Sequence, residues 1–151
     1  VFKSRYTPED NMEDVIITVE SDKLEPDKLR KMIDREECGS IVSFIGLTRG
    51  IDNSLKIKEL VFDSWEEKLP QVLEEIANKS IAKFGVKKVI ISHRVGNVKP
   101  KEPIVCIHVA SIHRAEGFAA CSWVIDELKK QAPLWKKEIS EDGIIWKKGL
   151  G

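Results

Sequence analysis

Cysteine is scarce in this sequence, and the three present, Cys38, Cys106 and Cys121, make neither a CxxC pair nor a spacing matched by histidine. An odd, unpatterned set supports neither a disulfide framework nor a structural zinc, and it fits a reducing cytoplasm. Long hydrophobic runs are missing too. No segment approaches the ~20 apolar residues that cross a bilayer, and the opening VFKSRYTPED lacks a signal-peptide core, so a soluble, non-secreted chain without membrane partners is expected. Neither sign of charge is in excess: 25 Lys and Arg balance 25 Asp and Glu, which removes the global positive field that a nucleic acid would need. Also absent are a GxGxxG turn, a Walker loop, an HExxH pair, a nucleophile elbow and a paired-carboxylate signature. The common dinucleotide, kinase, metalloprotease and hydrolase readings therefore have no support.

What is there suits one ordinary domain: 151 residues, 42% hydrophobic, can bury a core without metals or staples. Residues 15–151 are expected to form it, with 1–14 a poorly ordered extension. Charge is uneven along the chain. Residues 9–37 carry eleven acids and five bases, whereas 129–148 carry six lysines and three acids, so an anionic ligand would favour the C-terminal part.

Short β-branched runs alternate with helical periodicity. VIITVE (15–20), SIVSFI (40–45), a segment within 55–62, 86–92 and 104–112 read as strands, and LWKKEIS with GIIWKK reads as a closing strand pair. Pro26 opens a helix through DKLRKMIDRE, where Leu29, Met32 and Ile33 share a face and Gly39 ends the run. A second helix reaches Phe84. Ser64 and Glu67 have capping-box spacing, but Pro70 would clash six positions into such a helix, so a start near Leu69 is the alternative. The third helix spans 115–130, ahead of Pro133. Without a strict βαβ rhythm the fold class is α+β rather than a doubly wound sheet.

Three clusters could carry chemistry. Arg49 lies on the glycine-flanked loop GLTRG between two strands, where an arginine either meets a ligand or is simply solvated. His113 and Arg114 stand where a strand gives way to a helix, a place whose free amides attract phosphate, although a plain helix-entry turn reads the same way. A similar pair, His93-Arg94, precedes a Val-Gly turn, and His108, mid-strand, reads as a satisfied core or interface histidine. The third cluster is LKKQAPLWKKE. Lys129 in a last helical turn could equally answer the dipole, and Lys136 follows Trp135, an apolar neighbour able to desolvate it and make it a usable base or nucleophile. Residue by residue, this amounts to a basic, metal-free site for a phosphorylated small molecule.

The runs FIGLTRG (44–50), HRVG (93–96), SIHRAEGFAAC (111–121) and IDELKKQAPLWKKE (125–138) together resemble the molybdopterin synthase large (catalytic) subunit family over nearly the whole chain after residue 15. The resemblance implies an α/β hammerhead with additional antiparallel strands. It implies sulfur transfer to cyclic pyranopterin monophosphate from a thiocarboxylate on the Gly-Gly tail of a small ubiquitin-like subunit. It also implies a homodimeric core of a heterotetramer. Family positions match at Arg49, His113, Arg114, Lys129 and Lys136, with the two lysines as catalytic groups, the other three binding substrate, and no metal or organic cofactor required. Two departures stand out. Lys101 occupies a usual glycine position, which implies a different loop shape, and EGFAAC replaces the usual EAFEAC. The competing reading is a non-catalytic scaffold for a ubiquitin-like protein or an anionic metabolite. Phosphoryl transfer is disfavoured, because neither a carboxylate cluster for magnesium nor a nucleophile is visible.

Overall fold

The computed structural model describes residues 13–147 except residue 53, with backbone alone at 146 and 147. The expected extension over 1–14 lies almost wholly outside the described residues. In chain order the elements are β1 (Val15–Glu20), α1 (Pro26–Arg30), β2 (Ser40–Leu47), β3 (Ile51–Asp52), β4 (Leu55–Ser64), α2 (Lys68–Phe84), β5 (Lys88–Arg94), β6 (Gly96–Val98), β7 (Pro103–Ser111), α3 (Arg114–Gln131), β8 (Leu134–Ser140) and β9 (Gly143–Lys147). The domain is α+β, as the sequence implies.

A four-stranded sheet runs in the order β1-β5-β7-β2, with β1 parallel to β5 and the other pairs antiparallel. Its central strands are buried on both faces, which explains why apolar residues occupy consecutive positions in them, as at 89–91 and 104–107. Val89, Ile91, Val105, Ile107 and Val109 point to one side, into the core under α2 and α3. Ile90 and Cys106 alternate to the other side and meet Leu24, Leu29 and Met32 around α1. A second sheet, β3-β4-β8-β9 with β6 also on β4, encloses a smaller core of Ile57, Leu60, Phe62 and Val98.

The first helix is shorter than its apolar face suggests. Met32 and Ile33 donate to carbonyls three residues back, tightening the last turn. The Met32 carbonyl is then taken by the ammonium of Lys88, at 3.0 Å, instead of by a further turn. The second helix starts at Lys68, so the capping box at Ser64 and Glu67 does not form, and Pro70 sits in the first turn, where no intrahelical donor is needed. Its far end closes on Gly85 at φ 71°. The short strands β3 and β6 are additional to those read from sequence.

The third helix leans on β2 through Gly117, where a Cβ would come within 2.8 Å of Ser111 Oγ and 3.1 Å of Val42. That close approach is what the glycine in EGFAAC permits.

Candidate functional site

Arg49, Lys129 and Lys136, distant in sequence, converge on one cavity of about 390 Å³ between the two sheets. Each comes from a different element. Arg49 is exposed on the loop between β2 and β3, Lys129 is exposed in the last turn of α3, and Lys136 lies on β8 opposite Phe62. The walls are apolar, with Phe44, Leu60, Phe62, Val105, Ile125 and Leu128 among them, so Lys136 stands where water is partly excluded while Arg49 and Lys129 are exposed at the rim.

The Arg49 loop is held from below. Thr48 receives the Lys101 N–H at 2.8 Å, and its hydroxyl donates to the carbonyls of Lys99 at 3.0 Å and Glu102 at 3.2 Å. Lys101 was expected to give this turn a different shape. Instead it adopts φ 72°, the left-handed conformation that glycine favours, at a cost of about 1 kcal/mol. Its side chain lies over Gly50, reaching 3.6 Å from where a Cβ there would stand.

Lys136 is shielded, its side chain 14% exposed, but Trp135 is not the cause. Consecutive strand residues face opposite sides, and Trp135 remains half exposed on the other one. The lysine instead lies 3.8 Å from the buried carboxylate of Glu138, a pocket residue that sequence reasoning passed over.

His93 also lines the pocket, where sequence reasoning had noted it only as one of a His-Arg pair ahead of a Val-Gly turn. It lies one residue before the end of β5, fully buried, with Nδ1 2.7 Å from the Arg94 carbonyl and its ring edge-on to Phe62. Burial pushes its pKa down to about 4. His108 is a satisfied core histidine as expected, bonded through Nδ1 to the Ser43 hydroxyl and through Nε2 to the Pro26 carbonyl. Burial lowers its pKa as well.

His113 and Arg114 are not part of this cavity. They are exposed at the opposite end of α3, where His113 is the N-cap and its Nδ1 lies 3.9 Å from Glu116. At 1.5 Å per residue, fifteen residues separate Arg114 from Lys129 by ~22 Å.

The model of the MoaE protein family matches residues 19–131. The chain belongs to the MoaE family. A MoaE relative from Caulobacter vibrioides, named molybdopterin synthase catalytic subunit, is 36% identical over 87% of this chain and 88% of its own. The crystal structure of molybdopterin synthase from Staphylococcus aureus superposes with a TM-score of 0.80 at 27% identity, covering 89% of this chain and 96% of that one. A Helicobacter pylori chain, solved in a complex of subunits 1 and 2 of molybdopterin-converting factor, matches with a TM-score of 0.72 over 87% of this chain and 90% of that one. At 24% identity it shows the fold alone.

Proposed function

We propose that this MoaE chain is the catalytic subunit of a molybdopterin synthase. It moves sulfur from the C-terminal thiocarboxylate of a small Gly-Gly carrier subunit onto cyclic pyranopterin monophosphate. The observation that carries this reading is the convergence of Arg49, Lys129 and Lys136 on one largely apolar cavity. Phosphate and thiocarboxylate are both anions and repel each other until cations neutralise them, most effectively where water is excluded. The thiocarboxylate sulfur bonds to an acceptor carbon of the precursor as a carbon–oxygen bond there breaks, the oxygen leaving with a proton as phosphate or water. Hydrolysis of the resulting thioester leaves the sulfur on that carbon and returns the tail as a carboxylate. Lys129, exposed at the rim, acts as the main acid/base or transient nucleophile, Lys136 orients the thiocarboxylate or the pterin, and Arg49 holds the phosphate. Three free cysteines, two of them buried, fit residence in the reducing cytoplasm. The test is conversion of purified precursor by this protein plus thiocarboxylated carrier. A scaffold would bind the carrier and convert nothing.

His113 and Arg114 enter the same site from a second copy of the chain. Their ~22 Å distance from Lys129 exceeds the reach of one pterin, and the sheet supports a two-fold arrangement that removes it. β2 ends the four-stranded sheet, and Ile41, Ile45 and Leu47 along it are exposed. An apolar edge with no further strand on it among the described residues is a template for another strand. β2 and α3 run side by side in the same direction: the Ser40 end of β2 pairs with Ser111, close to His113, and the Leu47 end leads into Arg49. Antiparallel pairing of two β2 edges then brings the His113 end of one copy to the Arg49 end of the other.

A further inference from the structure

We propose, resting on the sulfur-transfer reading, that His93 Nε2 is the acceptor through which the pocket holds an N–H group of its ligand. That group comes from the last peptide units of the carrier tail or from the pterin ring. The Arg94 carbonyl can only accept, so Nδ1, 2.7 Å away, carries the ring proton and Nε2 is left as a lone-pair acceptor. Nε2 has no hydrogen-bond partner among the described residues, and the ring that carries it lines the cavity. The other polar side chains there are committed or of the wrong kind. Arg49, Lys129 and Lys136 only donate, the Thr48 hydroxyl serves Lys99 and Glu102, and Glu138 lies against Lys136. Burial and the edge contact with Phe62 keep the imidazole neutral and fix its plane. The rim of the pocket thus selects for negative charge, and its floor selects for an uncharged donor.

Two substitutions separate this role from a structural one. His93→Asn keeps an N–H near Nδ1 for the Arg94 carbonyl and deletes Nε2. His93→Gln sets an amide near Nε2 and gives up the tether. Wild-type protein and both variants are titrated calorimetrically with a synthetic peptide ending in Gly-Gly and, separately, with a reduced pterin, and thermal midpoints are recorded. His93→Asn is expected to melt near wild type yet bind one probe about tenfold more weakly, the loss typical of one hydrogen bond. Which probe weakens names the source of the N–H. His93→Gln is expected to recover that binding while melting lower. Wild-type affinity of His93→Asn for both probes overturns the proposal, as does weaker binding by Gln than by Asn, or no binding of either probe to the wild-type chain. Nitrogen NMR of the wild-type imidazole gives a readout free of folding effects: Nε2 shifts when the effective probe is added, and a static resonance refutes the contact. Precursor conversion by wild-type protein, run alongside, judges the sulfur-transfer reading separately from these binding results.

Discussion

Mixing two inactive variants, His113→Ala and Lys129→Ala, restores about a quarter of wild-type conversion when the site is shared between copies. Two lengths underlie the prediction. Fifteen helical residues at 1.5 Å span ~22 Å between Arg114 and Lys129, and seven steps of ~3.4 Å along β2 span ~24 Å between Ser40 and Leu47. The near equality means that an antiparallel strand pair centred between Ser43 and Phe44 brings each copy's His113 beside its partner's Lys129. After random exchange half the dimers are mixed. Each mixed dimer holds one intact site and one doubly damaged site, which gives the quarter. Neither variant alone shows activity. The assay is precursor conversion after incubation under exchanging conditions, with mixed dimers counted by native mass spectrometry of a mass-tagged variant. Zero activity with exchange demonstrated refutes the shared site and returns His113 and Arg114 to a role within their own chain.

Lys129→Ala is expected to abolish conversion with little change in thermal midpoint, since an exposed last-turn lysine contributes only ~0.3–1 kcal/mol; full activity would favour the scaffold reading. Lys136→Ala should reverse the pattern, losing less activity but more stability, roughly 1–3 kcal/mol, because it removes a shielded charge beside buried Glu138. Denaturant melts of the two variants compare these costs directly. Carrier binding should weaken as salt rises and fail when the carrier's terminal glycines are removed; salt-independent titrations would exclude the cationic pocket as its dock. His93 has a folded pKa of about 4 against an ordinary 6.5, so the unfolded chain binds the extra proton. Its contribution to stability is complete above 6.5 and is lost as pH falls toward 4, on the order of 3 kcal/mol. His93→Gln should lessen the acid sensitivity seen in melts at pH 4 and 7, and an unchanged pH dependence contradicts the assignment.

Elements whose stability is local or whose pattern is long were legible in the sequence. β1, β5 and β7 announce themselves as β-branched runs, and α2 and α3 by period and punctuation. The end of α1 was not legible, because Lys88, 56 positions away, takes the Met32 carbonyl, and no local pattern encodes that competition. β3 and β6 are too short to carry a period. For the site, Arg49 and Lys129 stood out as cations on a loop and in a last helical turn, Lys136 as one beside Trp135 on an extended segment, and the fold brings them together. His93 and Glu138 were missed because each lies inside a strand and matters only through the cavity the second sheet builds over it. The HRVG run did hold a signal: a histidine in a strand buried along its whole length has to be explained by what it faces. Trp135 misled in the opposite way, since sequence neighbours in a strand are spatial opposites.

Gly117 sets how closely the front of α3 rests on the sheet, since a methyl group there requires the Ser111 hydroxyl and Val42 to give way. A residue larger than alanine there would lift that end, while the rear stays pinned by Leu128 in the core. The helix would then behave as a lever whose fulcrum is close to Lys129 and whose free tip is His113 and Arg114. With the tip serving the neighbouring copy, the lesion would be recessive in its own pocket and expressed across the seam: a damaged chain would keep its lysines in order and spoil the chemistry of its partner.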